Sequence, residues 1–112
     1  MNPTTFSALA EPTRFHIVEL LRTKPQAVGE IATRLRIRQP QVSKHLKVLA
    51  DAGIVRMQPQ ANQRIYGLAP EKFREIDTWL EQFRAMWEER FDRLDALLQR
   101  EKLRKEVNTN GK

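Results

Sequence analysis

A long amphipathic run near the C-terminus constrains this chain more than any other feature. Between Glu71 and Leu98 there is no proline or glycine, so the run predicts one continuous helix of about 42 Å. Trp79, Met86 and Leu97 lie at one edge of its apolar face, and its eight other large apolar residues fall within an arc of about 80° on a helical wheel. They are Phe73, Ile76, Leu80, Phe83, Trp87, Phe91, Leu94 and Leu98. The body of a 112-residue chain is too small to cover this stripe, so we expect a second copy to cover it.

Prolines and glycines divide the preceding part of the chain into short elements. Thr4 or Thr5 is expected to cap the first helix, and a second helix is expected to begin at Pro12. Gly53 is expected to end the fourth helix, because glycine accepts the left-handed conformation of a C-cap. The predicted elements are helices over 4–10, 12–22, 28–35 and 39–52, and strands over 54–57 and 64–68 around a polar turn at 59–63.

This order of elements predicts a mainly α fold with a small β-hairpin, a winged helix-turn-helix of order α-α-α-α-β-β-α. The uncovered apolar stripe of the last helix predicts that this fold is homodimeric. We expect a single domain over residues 1–112. Its predicted parts are the helix-turn-helix at 28–52, the wing at 54–69, the long dimerisation helix at 71–98 and a frayed tail at 108–112.

The net charge of +6 lies in the middle of the chain. Residues 31–70 hold seven basic side chains against Asp51 alone, and the segments before and after are each balanced. A localised basic surface is typical of a protein that binds a polyanion. The alternative is a solvated surface without a partner, but such surfaces usually mix both signs. The distribution therefore favours nucleic acid.

The fourth predicted helix has two dissimilar sides. Val42, Leu46 and Leu49 recur at helical spacing and face a core, whereas the other side is polar and basic. The major groove of double-stranded DNA admits one helix and presents donors and acceptors that amide and basic side chains match. The predicted DNA contacts are Arg38, Gln39, Gln41, Val42, Ser43, Lys44, His45 and Lys47, with Gln63 and Arg64 in the wing.

Several side chains allow two interpretations. Arg34 and Arg36, with Arg38, either line the DNA backbone or are exposed without a partner. Arg14 either forms an internal ion pair or contacts a phosphate, and Tyr66 either contacts the DNA backbone or packs at the base of the wing. We interpret the aromatic stripe of the long helix as core or dimer interface rather than a ligand pocket, because apolar residues at helical spacing usually pack.

Several stretches of the sequence resemble the ArsR family of bacterial winged-helix regulators. They are Pro12-Thr13-Arg14, Gln39-Pro40-x-Val42-Ser43-x-His45-Leu46-x-Val48-Leu49, Ala52-Gly53-Ile54-Val55, Arg64-Ile65-Tyr66-x-Leu68 and Trp79-Leu80. The resemblance covers about residues 4–98 and is to the metal-independent branch with a long C-terminal helix. It implies a homodimer assembled through the first and last helices, at an interface that holds Phe6, Leu9, Phe73, Ile76, Trp79, Leu80, Phe83, Trp87, Phe91 and Leu94.

The sequence departs from the metal-sensing members of that family. Those members carry Cys-x-Cys in the third helix or Asp, His and Glu ligands in the last, whereas this chain has no cysteine and no histidine after His45. We therefore expect no metal site of the usual kind and no cofactor. Arg38 is a second departure, because the family usually has serine there and arginine cannot accept hydrogen bonds from the helix amides.

The leading interpretation is a transcriptional regulator that represses by binding an inverted-repeat operator in double-stranded DNA as a homodimer, with an unknown effector. No secretion signal or membrane span is visible, so we expect a cytoplasmic protein. The alternative is a winged-helix module that docks another protein through its aromatic C-terminal helix. An enzyme is not expected, because the chain has no phosphate loop, no cysteine and no paired His–acid spacing.

Overall fold

The computed structural model describes the backbone of residues 1–110 and the side chains of residues 1–105. Over this range the elements are α1 (Pro3–Ala10), α2 (Pro12–Leu21), β1 (Gln26–Ala27), α3 (Val28–Leu35), α4 (Gln39–Asp51), β2 (Val55–Gln60), β3 (Gln63–Leu68) and α5 (Pro70–Asn110). The predicted mainly helical fold with a small antiparallel sheet is confirmed, but β1 is absent from the predicted order.

The sheet is antiparallel with the strand order β1-β3-β2. In its register Gln26 lies opposite Tyr66 and Val55 lies opposite Leu68. β1 has only two residues, so it cannot show the alternation that predicts a strand.

The hairpin of β2 and β3, called the wing below, turns through two residues rather than the five predicted. Ala61 adopts a φ of 55°, as two-residue hairpin turns require at their first position.

One hydrophobic core joins α1 to α4 with the base of the wing. Its buried members are Ala8, Ile17, Leu21, Ile31, Ala32, Val42, Leu46, Leu49, Ile54 and Val55. α4 contributes three of these side chains, and each of the three is 0% exposed. Helical periodicity then turns the opposite side of α4 outward.

The start of the first helix differs from the prediction. Asn2 is the N-cap, and its Oδ1 accepts a hydrogen bond from the Thr4 N–H at 3.0 Å. Thr5 lies in the first turn with 1% of its surface exposed, so it is a packed residue. The predicted cap at Thr4 or Thr5 is therefore wrong, because Pro3 already occupies the first helical position, where proline is favoured.

The last helix is longer than predicted, since α5 continues past Leu98 to Asn110. Ion pairs three or four residues apart, Arg93 with Glu89 and Arg104 with Glu101, support the helix in this segment. The backbone is helical at residues 108–110, within the predicted frayed tail at 108–112, and Gly111 and Lys112 lie outside the described residues.

Residue contacts divide the chain into two units. The first is Met1–Ile76, which contains the core and the sheet, and the second begins at Asp77 and consists of the rest of α5. No helix in the described part of the chain is long and apolar enough to cross a membrane.

The junction of α1 and α2 is held by hydrogen bonds from one arginine. Arg14 Nε donates to the carbonyl oxygen of Ala8 at 2.7 Å, at the C-terminal end of α1. The Arg14 N–H donates to Glu11 Oε2 at 2.8 Å, so Glu11 caps α2. This hydrogen bond is the main reason that the pKa of Glu11 lies below its ordinary value of 4.5. The guanidinium of Arg14 is thus an internal donor.

We expect the contribution of Glu11 to stability to depend on pH. Because the folded state lowers its pKa, the carboxylate stabilises the fold above the ordinary value of 4.5, and this stabilisation is lost as pH falls through the folded-state pKa. Glu11→Gln removes the charge, so the difference in unfolding free energy from the parent should be present at pH 7 and shrink toward about pH 3. Urea unfolding across this range measures it.

The control is Glu88→Gln, which removes the same charge from an exposed position of α5. If the two variants lose stability relative to the parent with the same pH dependence, the capping role of Glu11 is wrong.

Candidate nucleic-acid interface

A tight three-residue connection joins α3 to α4. Arg36 adopts the left-handed conformation, with φ 57° and ψ 45°, and its N–H donates to the carbonyl oxygen of Thr33 at 3.3 Å. The Ile37 N–H donates to Ala32 O at 3.0 Å, which completes a Schellman-type C-cap. A left-handed conformation costs a non-glycine residue about 1–2 kcal/mol. These bonds hold the residue in this conformation and set the direction in which α4 leaves α3.

The two sides of α4 are separated as the sequence pattern predicts, with one correction. Val42 belongs to the predicted DNA contacts, but it is 0% exposed and packs in the core. It shares a helix side with Leu46 and Leu49, so its side chain has no surface to offer to DNA. The other predicted contacts on or next to α4 that are exposed are Arg38, Gln39, Gln41, Ser43, Lys44 and Lys47.

An open groove runs between α3, α4 and the wing. It brings together five predicted contacts, namely Gln39, Ser43, Lys47, Gln63 and Arg64. Arg38, Gln41 and Lys44 are exposed outside the lining of this groove. The exposed side of α4 and the wing therefore border one continuous concave surface.

A glycine in α3 makes room for one of these side chains. A Cβ atom at Gly29 would lie 3.0 Å from Gln39 Nε2, which is closer than nearly all real contacts of a Cβ atom. A larger residue at this position would require the Gln39 amide to shift by a few tenths of an ångström.

His45 occupies a different place from the other predicted contacts. Its Nδ1 lies 3.6 Å from Glu11 Oε2, and its side chain is 25% exposed. It does not line the groove and instead faces the junction of α1 and α2. Sequence spacing alone places it on the polar side of α4, but contact with Glu11 comes from tertiary packing.

The cations of this region are mostly unpaired. Arg34 forms an ion pair with Glu30 at 3.3 Å, and Arg56 forms one with Glu71 at 2.6 Å, which lowers the pKa of Glu71. The other basic residues of the 31–70 segment have no ion pair with an acidic residue in the described part of the chain. They are Arg36, Arg38, Lys44, Lys47 and Arg64. This positive charge is available to an anionic partner.

The groove also contains polar residues that the sequence analysis leaves out. Thr33, Gln60 and Asn62 line it beside the predicted contacts. The polar turn between the strands is the sequence feature that points to Gln60 and Asn62. Tyr66 lines the groove and also packs against the core, so its packing role is the one that the structure shows.

The residues predicted at the dimer interface fall into two groups. Leu9 and Phe73 are half-buried and pack against the core of their own chain, and Ile76 and Trp79 are also half-buried. The centroids of the Trp79 and Phe83 rings lie 4.8 Å apart, and the rings meet edge to face. The exposed group is Phe6, Leu80, Phe83, Trp87, Phe91 and Leu94.

The possible metal ligands of the described residues are dispersed over the structure. Among the residues with described positions, no three His, Cys, Asp or Glu side chains come together in a group able to hold a metal ion. His16 and His45 lie on different helices, α2 and α4.

Comparison with known proteins agrees with this geometry. A helix-turn-helix domain model matches residues 9–58. The HTH-type transcriptional regulator Rv2034 of Mycobacterium tuberculosis is 44% identical over 78 residues, which are 70% of this chain and 73% of that protein. The crystal structure of the ArsR family transcriptional regulator RHA00566 superposes with a TM-score of 0.67 at 32% identity, covering 76% of this chain and 93% of that one.

The chain belongs to the ArsR family. It is accordingly a DNA-binding transcriptional regulator and not an enzyme. This ArsR-family regulator also resembles the homodimeric winged helix-turn-helix DNA-binding domain Mb0332 of Mycobacterium bovis, with a TM-score of 0.61 and 25% identity over 72% of this chain and 75% of that one. The chain spans about half the length of several other curated relatives that it matches.

We expect a serine at position 38 to stabilise the regulator. Arg38 is the N-cap of α4 with φ −68° and ψ 141°, and its side chain makes no capping hydrogen bond. This extended conformation is the one in which serine accepts from the helix amides. Arg38→Ser should therefore be more stable than Arg38→Ala by about 0.5–2 kcal/mol. Urea unfolding of both variants measures the difference.

Both variants lose the same positive charge, so the comparison isolates the cap. Equal unfolding free energies for the two variants would mean that the amides of α4 already have satisfactory partners.

Proposed function

We propose that this ArsR-family protein is a sequence-specific repressor that binds an inverted-repeat operator as a homodimer. The observation that carries the proposal is a set of five cations on and around the α3–α4 pair and the wing that form no ion pair among the described residues. Several matched relatives, among them SmtB of Mycobacterium tuberculosis and SdpR of Bacillus subtilis, are named repressors.

In this proposal the exposed side of α4 enters the major groove. Gln39 and Gln41 are amides at the start of the helix, and an amide can bind adenine through two hydrogen bonds. Ser43 and Lys44 follow one turn later, where lysine can reach the acceptors of guanine. The burial of Val42, Leu46 and Leu49 supports this orientation, because it leaves only the polar side free.

The remaining cations bind the sugar-phosphate backbone. Arg38 lies just before α4, Lys47 lies on the groove side of α4, and Arg64 lies one residue into β3. Gln63 and Arg64 follow the two-residue turn directly, so the wing can present both to the backbone or to the minor groove. Such contacts hold the protein in register and carry the salt dependence of binding.

A homodimer supplies two copies of this surface. Two α4 helices about 34 Å apart match successive major-groove faces of one inverted repeat. The exposed large apolar residues of α5 support association, since a monomer would leave them in water. Mb0332, which the chain resembles, is homodimeric.

We also propose that the regulator acts in the cytoplasm, where DNA is accessible, and without a metal sensor of the family's usual kind. The sequence supports the lack of such a metal sensor, because it has no cysteine and no histidine after His45. The last helix therefore offers neither thiolate nor imidazole ligands. The effector that releases DNA would be a small molecule or a protein partner.

A phosphate contact should be visible in the salt dependence of binding. Lys47→Ala removes one cation from each subunit, so the slope of log affinity against log salt should become about 1.8 units less steep for a dimer. Affinity for operator and for scrambled DNA should fall by similar factors. Fluorescence anisotropy with DNA upstream of the protein's own gene, at several salt concentrations, measures both.

The matched control is Arg22→Ala, because Arg22 is an exposed cation already paired with Glu19 at 3.1 Å. An unchanged slope in Lys47→Ala, or an equal change in the control, would remove Lys47 from the interface.

A base contact should behave differently from a phosphate contact. Gln39→Ala and Gln41→Ala should each weaken operator binding by roughly 30- to 25,000-fold, the worth of two bidentate pairs in a dimer, and leave binding to scrambled DNA unchanged. Gln82→Ala, an exposed amide on α5, is the control. If the parent protein binds both DNAs with equal affinity, sequence-specific repression is wrong.

A further inference from the structure

We propose that His45 is a positioning residue, which ties α4 to the junction of α1 and α2 through Glu11 and raises operator affinity without contacting DNA. This role rests on the operator binding proposed above and deepens it by separating His45 from the side chains that contact DNA. The sequence places His45 among those contacts, whereas the structure gives it a partner within the protein.

The polar side of α4 has two flanks with different surroundings. Gln39, Ser43 and Lys47 follow one flank and line the groove. Helical spacing places Gln41 and His45 on the opposite flank, one turn apart. On this flank α4 packs against α1 and α2, and the His45 side chain is 25% exposed. His45 therefore faces the protein rather than the groove.

The partner of His45 holds two other helices together. Glu11 is both the C-cap of α1 and the N-cap of α2. Its Oε2 accepts a hydrogen bond from the Arg14 N–H at 2.8 Å, and the same oxygen lies 3.6 Å from His45 Nδ1. Arg14 Nε extends the cluster to α1 by donating to the carbonyl oxygen of Ala8 at 2.7 Å. The cluster thus links the orientation of α4 to two helices that lie outside the proposed contacts with DNA.

Two charged groups of the junction act on His45 in opposite directions. The Glu11 carboxylate attracts an imidazolium, and the Arg14 guanidinium repels one. The guanidinium is bound to the carbonyl oxygen of Ala8 at the end of α1, and α1 has no titratable side chain. On α4 itself, the residues one turn before and one turn after His45 carry no charge. The carboxylate of Glu11 is therefore the main partner for a charge on His45.

The strength of the contact depends on the protonation of His45. Glu11 stays ionised at neutral pH, because the hydrogen bond from the Arg14 N–H is the main cause that holds its pKa below the ordinary value of 4.5. Histidine changes its charge between about pH 5 and pH 8. A carboxylate binds an imidazolium more strongly than it binds a neutral imidazole. We therefore expect the link between α4 and the junction to strengthen as the pH falls from about 8 to about 6.

Salt dependence distinguishes a positioning residue from a phosphate contact. Loss of one phosphate contact per subunit would make the slope of log affinity against log salt about 1.8 units less steep for a dimer. His45→Ala should instead lower operator affinity by roughly 2- to 30-fold, the range for two partly exposed ion pairs per dimer, and leave the slope unchanged. Fluorescence anisotropy at about pH 6, where an imidazolium contributes charge, measures both. A slope that flattens as in Lys47→Ala would overturn the inference.

A double-variant cycle tests whether His45 acts through Glu11. Glu11→Gln removes the charge but keeps a side-chain oxygen that can accept from the Arg14 N–H, so it should lower operator affinity by a factor similar to that of His45→Ala. Adding His45→Ala to Glu11→Gln should then cause little further loss, because the pair is already broken. A double variant whose loss equals the product of the two single losses would contradict the inference.

The pH profile and a conservative variant give a readout that a purely structural role would not move. The ratio of parent affinity to His45→Ala affinity should rise as the pH falls from about 8 to about 6, and the rise should disappear in the Glu11→Gln background. His45→Asn places an uncharged donor nitrogen near the position of Nδ1. It should match the parent at about pH 8 and lack the gain at about pH 6. A ratio that stays constant over this range would overturn the inference.

The matched control is His16→Gln, because His16 is the other histidine of the chain and is exposed on α2. This variant should keep the operator affinity and the pH profile of the parent. Urea unfolding shows whether each variant is folded under the assay conditions. If Glu11→Gln does not fold, the salt slope and the pH profile of the His45 variants still decide the inference, because these variants keep Glu11.

The same titrations separate this inference from the proposed function. If the parent protein binds operator and scrambled DNA with equal affinity, sequence-specific repression is wrong, and the role of His45 in operator binding is wrong with it. If the parent prefers the operator and His45→Ala flattens the salt slope, the proposed function stands and the positioning role alone is wrong.

Discussion

The burial of one side of α4 is the constraint on which the rest of the structure depends. Val42, Leu46 and Leu49 are fully buried against Ile17 of α2 and Ile31 of α3, among other core residues. Removing this apolar surface from water offsets part of the entropic cost of ordering the helix. Because helical periodicity is fixed, the same burial determines which side chains of α4 face outward. The polar and basic surface is thus a consequence of packing.

Electrostatics then distinguishes this outward surface from the rest of the molecule. Elsewhere, exposed charges are commonly paired along a helix, as with Arg22 and Glu19 or Arg93 and Glu89. Such pairs add little stability, but they neutralise the surface. Around α4 and the wing the cations are largely unpaired, with Lys47 and Arg64 on one groove. Charge left without internal partners is what a polyanion can use.

Much of the fold was predictable because it follows from local rules. The bounds of α3 and the start of α4 match their proline and apolar patterns, and the hairpin lies at the predicted polar turn, although this turn has two residues rather than five. β1 was not predictable, since two residues carry no periodicity and Gln26 pairs with the distant Tyr66. The cap of α1 was misplaced because several residues before the helix have suitable side chains, and only the backbone shows which of them is used.

For the site, the sequence by itself determined the location of the positive charge and the amphipathic stripe of α5, because composition and spacing are properties of the linear chain. Its motifs also resemble those of the ArsR family. Only the tertiary structure decided which polar residues share a surface. It turned His45 toward Glu11 and brought Gln39 to the same groove as Gln63 and Arg64. The physical reason is that distances between helix and wing depend on how the core packs, which spacing along one element cannot encode.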